Sequence, residues 1–139
     1  SAGGLTALNT AISDVSLCAG VVVKYPVVDL VAMLHSDDPF EGHHMPALIG
    51  SENQAAAHSP HKNAAALRGT PVLVFHGDQD HSVPLFHSER LRDAVEAAGG
   101  NIQLEVFAGE GHGFRNPVNI AREFAVTEEF LHSLMKNAR

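Results

Sequence analysis

Two stretches of the 139-residue sequence concentrate side chains able to move protons. One is His76-Gly77-Asp78-Gln79-Asp80-His81-Ser82-Val83-Pro84, and the other is Gly109-Glu110-Gly111-His112-Gly113-Phe114. A carboxylate from the first and the imidazole of the second suit each other. The carboxylate accepts from one ring nitrogen, fixes the tautomer and stabilises the imidazolium, which leaves the other nitrogen to act as a base. Asp78 and Asp80 both offer that carboxylate, and either also suits a cap on the helix that starts near Pro84. Such a pair needs a nucleophile, and Ser1-Ala2-Gly3-Gly4 stands directly ahead of a helical stretch. An ordinary imidazole titrates near pH ~6.5, so chemistry of this kind is expected to fade in acid.

The elements that must position these groups are legible from periodicity. Leu5, Leu8, Ala11 and Ile12 have helical spacing within Ala2–Ser13. The β-branched run Cys18–Val23 reads as a buried strand. The stretch from Tyr25 to about Gly50 reads as irregular, with Pro26, Pro39 and Pro46. Short helical pieces are expected over 52–57 and 63–67, broken by Ser59-Pro60. A second strand covers Pro71–Phe75, and a helix follows over Leu85–Ala98, closed by Gly99-Gly100. A third strand covers Ile102–Phe107. The last helix is expected over Val118–Met135, with Ile120, Phe124, Thr127, Leu131 and Leu134 facing the core. Strands alternating with helices imply an α/β architecture, about three parallel strands flanked by helices and joined by right-handed crossovers. Sites in such sheets lie at the carboxyl ends of the strands. Both reactive stretches follow strands. One sheet edge is expected to be bare, and the chain reads as the C-terminal half of a larger α/β domain.

Taken in order, these pieces resemble the catalytic domain of the prolyl oligopeptidase family of serine peptidases. The matching segments are Ser1–Leu8, Tyr25-Pro26-Val27-Val28-Asp29-Leu30, Ser59-Pro60, Thr70–Pro84 and Gly109–Arg115. Ser1-Ala2-Gly3-Gly4 is similar to the second half of the Gly-x-Ser-x-Gly-Gly nucleophile elbow of α/β-hydrolases. The resemblance implies that residues 1–139 are a single partial catalytic domain, the C-terminal part of an α/β-hydrolase fold. The upstream strands, the oxyanion loop and any β-propeller would lie outside it. The resemblance makes Ser1 the nucleophile and His112 the general base. It makes Asp80 the orienting carboxylate in preference to Asp78, because Asp80 stands three before Val83-Pro84. It gives the Ala2 N–H half of an oxyanion hole and sets Tyr25 near the substrate pocket. The implied reaction is hydrolysis of short peptides or acylated peptides through an acyl-enzyme, with no cofactor. The rivals are an esterase or lipase of the same fold, and an inactive fragment that dimerises through its exposed sheet edge. An N-terminal-nucleophile hydrolase, antiparallel in architecture, conflicts with the strand–helix alternation.

Composition bounds the partners. Sixteen acidic residues against nine basic give a net charge of −7, which argues against nucleic acid and anionic membranes. No apolar run approaches the ~18 residues of a membrane span, and no basic-then-apolar leader is visible. Cys18 is the single cysteine, so an internal disulfide is excluded and a reducing, cytoplasmic compartment is expected. Ten histidines invite a metal reading at Glu41, His43 and His44. Adjacent histidines lack the i, i+4 spacing of helical zinc sites, so no metal is expected. His35, His58, His61, His81, His87 and His132 are expected at the surface or as caps, and Glu110 is expected to shape its loop. The expected partners are a peptide substrate and either the absent N-terminal half or a second copy.

Overall fold

The structure, a computed structural model, describes residues 1–36 and 45–137. Glu41, His43 and His44 lie outside the described residues. The sheet has three parallel strands in the order β1-β2-β3: β1 (Val21–Lys24), β2 (Val72–Gly77) and β3 (Ile102–Phe107). Val23 pairs with Val74, and Val74 with Leu104. Every residue of β2 is buried, as a central parallel strand covered on both faces requires. Strand side chains alternate between faces, and the two cores follow that alternation. Val72 and Val74 join Val21, Val23, Leu8, Ala11, Leu91 and Val95 on one side. Of these, Val21 and Val23 lie on β1, Leu8 and Ala11 on α1 (Ala2–Ser13), and Leu91 and Val95 on α5 (Phe86–Ala97). Leu73 and Phe75 join Phe107 and Val126 on the other, beneath α6 (Pro117–Asn137). Leu73 and Phe75 have no exposed surface, a burial that contributes about 1.5–3 kcal/mol for each.

The stretch expected to be irregular holds two five-residue helices, α2 (Leu30–Leu34) and α3 (Met45–Ile49). Helices this short leave no periodic signature. α2 starts where the Asp29 side chain accepts the Ala32 N–H at 2.9 Å, a cap that offsets one orphan amide. α4 (Glu52–Ala57) opens with a capping box of Ser51 and Gln54. A 3-10 helix then runs over Pro60–Gly69, kinked at Asn63.

The buried face of α6 differs from the expected one. Phe124 is 70% exposed and Leu131 47%, while Glu123 and Val126 are buried. Two contacts, one on β1 and one at the residue before it, accompany this rotation. The Lys24 ammonium pairs with the Glu123 carboxylate. Gly20 also admits α6 closely, since a Cβ there would lie 2.5 Å from Leu134 Cδ1. A hydrophobic count cannot see an ion pair that draws a glutamate inward. Among the described residues β1 and β3 each have one sheet neighbour, and no helix is long and apolar enough to cross a membrane.

Candidate active site

The carboxyl ends of β2 and β3 and the start of α1 meet at one place. Ser1 is the N-cap of α1, yet its side chain makes no capping bond. Its Oγ instead lies 3.2 Å from His112 Nε2. The other ring nitrogen, Nδ1, lies 2.8 Å from Asp80 Oδ2. A carboxylate only accepts, so Nδ1 carries the hydrogen and Nε2 presents its lone pair to the serine hydroxyl. The Asp80 side chain has no exposed surface. Burial alone would push its carboxyl up, but bonds from His76, the Val83 N–H and His112 outweigh that and hold it below the usual carboxylate range. Its Oδ1 accepts from the Ser82 and Val83 N–H groups at 3.0 and 2.9 Å. The charge is therefore buried but fully partnered, the condition under which burial is tolerated.

The two loops are fastened to each other. Asp78, the alternative carboxylate, accepts the Gly109 N–H at 2.7 Å and so ties the loops together, away from His112. The Gln79 N–H donates to the Glu110 carbonyl at 2.9 Å. Gly77 permits this crossing, since a Cβ there would sit 2.2 Å from that carbonyl oxygen. Glu110 shapes its loop as expected. It accepts from the N–H groups of Arg115 and Asn116 and from the Asn119 amide at 2.8–2.9 Å. The Asn119 bond leads the effects that hold the Glu110 carboxyl low.

Tyr25 sits at the end of β1 with φ +36°, a left-handed backbone that costs a non-glycine residue about 1 kcal/mol or more. Its ring lies 4.5 Å from the His112 imidazole and 5.5 Å, edge-on, from Phe114. Phe114 in turn packs edge-on to Phe107 at 4.9 Å. An aromatic column thus runs from the core to the imidazole. Tyr25 packs against the His112 ring and is not among the residues that line the cavity beside Ser1.

That cavity has a volume of about 330 Å³, and its lining includes Ala2, Leu5, Val27, Leu30, Met45 and Ile49. Its Val27–Leu30 wall is held from behind. His87 Nδ1 accepts both the Val28 and Asp29 N–H groups at 3.2 Å. The Leu30 N–H donates to Ser59 Oγ at 2.9 Å, and Asp29 pairs with Arg90. His87 is thereby a correction to its expected surface position: it is 1% exposed. Burial pushes its imidazole down to about 4. His61 also turns inward, with Nδ1 2.7 Å from the Val28 carbonyl. His35, His58, His81 and His132 are exposed as expected. Among the described residues no group of three or more His, Cys, Asp or Glu side chains could hold a metal ion.

A family model, the prolyl oligopeptidase family, matches residues 1–138. The chain belongs to the prolyl oligopeptidase family. Its fold is that of solved relatives. A crystal structure of puromycin hydrolase superposes with a TM-score of 0.79 at 30% identity, covering 87% of this chain and 19% of that one. A puromycin-hydrolyzing peptidase of Mycobacterium tuberculosis gives a TM-score of 0.79 at 30% identity, covering 88% and 19%. The sequence is also 23% identical over 111 residues to isoprenylcysteine alpha-carbonyl methylesterase ICME of Arabidopsis thaliana, covering 76% of this chain and 26% of that protein. The chain thus spans about a quarter or less of the length of these relatives. Within the prolyl oligopeptidase family the three parallel strands and their helices are part of the α/β-hydrolase fold.

Proposed function

We propose that this chain carries the nucleophile, base and orienting acid of a serine peptidase. The observation that carries the reading is the continuous relay from Ser1 Oγ to His112 Nε2 and from His112 Nδ1 to Asp80 Oδ2, at 3.2 and 2.8 Å. In this reading Ser1 Oγ attacks the scissile carbonyl while His112 takes its proton. The resulting imidazolium is held by Asp80 and returns the proton to the leaving amine. Water, deprotonated by His112, then releases the acyl group from Ser1. Ala2 is the first residue of α1, whose leading amides have no partner within the helix. Its N–H serves the developing oxyanion with the positive end of the helix behind it. The second donor comes from the upstream part of the parent domain, which makes residues 1–139 one partial domain. The apolar cavity beside Ser1 suits an apolar or aromatic side chain on the acyl residue. That fits the puromycin-hydrolysing activity named for the two solved relatives and makes peptides or aminoacyl amides the substrate class.

Exposure to a fluorophosphonate, followed by intact mass and peptide mapping, tests the assignment. One adduct on Ser1, lost in His112→Ala, is expected. An adduct elsewhere, or none, refutes it. The methylesterase relative favours a second reading, ester hydrolysis at the same site. A kcat/KM for an acyl methyl ester far above that for the matched amide would favour it.

A further inference from the structure

His76 is buried completely and takes no part in the proposed proton relay. It is the last residue but one of β2. Its Nε2 lies 2.8 Å from the Val83 carbonyl, which can only accept, so Nε2 carries the hydrogen. Its Nδ1 lies 2.6 Å from Ser88 Oγ on α5 and accepts that hydroxyl. The ring is therefore fixed at both ends, one on a helix and one on the loop that carries Asp80. The same Nε2 lies 3.4 Å from Asp80 Oδ2, the oxygen that His112 Nδ1 approaches at 2.8 Å. Val83 closes the circuit, giving its N–H to Asp80 Oδ1 and its carbonyl to His76.

We propose, on the serine peptidase reading above, that His76 is a positioning residue which holds the Asp80 loop through Val83 and Ser88 and shares Asp80 Oδ2 with His112. Two effects follow from this geometry. The loop between Asp78 and Val83 is fixed to both β2 and α5, so Asp80 meets His112 without reorganisation. The partial positive charge on the His76 N–H also draws on the carboxylate oxygen that stabilises the His112 imidazolium. Removing it leaves that oxygen to His112 alone, so the pH profile of the reaction, and not only its rate, responds to His76. The other charged or titratable groups nearby are His87 on α5, with Asp29, Arg90 and His61 around it, and Glu110 and Arg115, which line the same hollow as His112.

The test is the pH dependence of fluorophosphonate labelling at Ser1, and of kcat/KM for an apolar aminoacyl amide, in three variants. His76→Leu removes both polar contacts. It is expected to lower the plateau about tenfold, the scale seen when a supporting contact is lost, and to move the acid midpoint by about half a pH unit. His76→Gln keeps an N–H able to reach Val83 and recovers most of the rate and the original midpoint. Ser88→Ala frees the ring at Nδ1 alone and moves the midpoint in the same direction by less, which keeps the test open should His76→Leu fail to fold. A midpoint that stays put in both His76→Leu and Ser88→Ala overturns the proposal even if melting temperature falls. Loss of Ser1 labelling in the unmutated protein strikes the peptidase reading instead, so the two failures are distinct.

Discussion

Lowering the pH should destabilise the fold through one side chain, His87, which holds the wall of the Ser1 cavity. Its Nδ1 accepts two backbone N–H groups, from Val28 and Asp29, and can do so only while unprotonated. Protonation removes the acceptor and sets three hydrogens against one another. Burial lowers its pKa from 6.5 to about 4. A depressed histidine favours the neutral form in the fold, so its contribution is present above pH 6.5 and is lost as pH falls toward 4. Linkage converts the shift to about 2 kcal/mol lost between pH 7 and pH 5, rising to about 3 kcal/mol at full protonation. Urea unfolding at pH 7, 6 and 5 measures this directly. His87→Asn keeps an acceptor near the Nδ1 position but cannot titrate. Its stability should therefore fall less than that of the parent across the same range, by about 2 kcal/mol. Parallel pH profiles for the two proteins, within about 0.5 kcal/mol, would falsify the reasoning.

Three further outcomes follow from the site. In the complete parent protein, Ser1→Ala and His112→Ala should each lower kcat by a factor on the order of 10⁶, with the double variant no worse than either; a loss below tenfold for either single variant excludes the relay. Gly77→Ala places a methyl 2.2 Å from the Glu110 carbonyl oxygen and should cost about 2–3 kcal/mol in denaturant stability, because backbone must move. Leu48 lines the cavity while 77% exposed. Leu48→Glu should therefore leave stability within about 0.5 kcal/mol yet lower kcat/KM for apolar acyl substrates about tenfold. An equal effect on small acyl groups would detach the cavity from specificity.

The sequence predicts some parts of this molecule well and others poorly, for identifiable reasons. α1, α4 and β3 fall where they are expected, because in these segments local sequence and tertiary packing favour the same element. Asp80 and His112 were readable because strand-end loops are where such sheets place reactive groups. The choice of Asp80 over Asp78 rests on resemblance, since both precede the same helix and nothing local tells the two carboxylates apart. The burial of His87 was not legible, because a histidine accepting backbone amides from a segment 58 or 59 residues away leaves no local mark. His76 was visible only as the residue after an apolar run. Its place within a strand buried on both faces was the available signal. α6 misled because Phe124 and Leu131 outweigh Glu123 on any hydropathy count, while the Lys24 ion pair decides which side turns inward.

The bond between Ser1 and His112 joins residues 111 apart in a chain of 139. Such a contact closes a loop of 111 residues, so local structure cannot make it ahead of the rest. It exists only once β1, β2 and β3 have found their register and both loops have locked across Gly77. Reactivity at Ser1 is thus a readout of complete folding. A collapsed or half-paired chain holds every reactive side chain and none of the alignment. During synthesis or after damage, such a protein would go silent before it became indiscriminate.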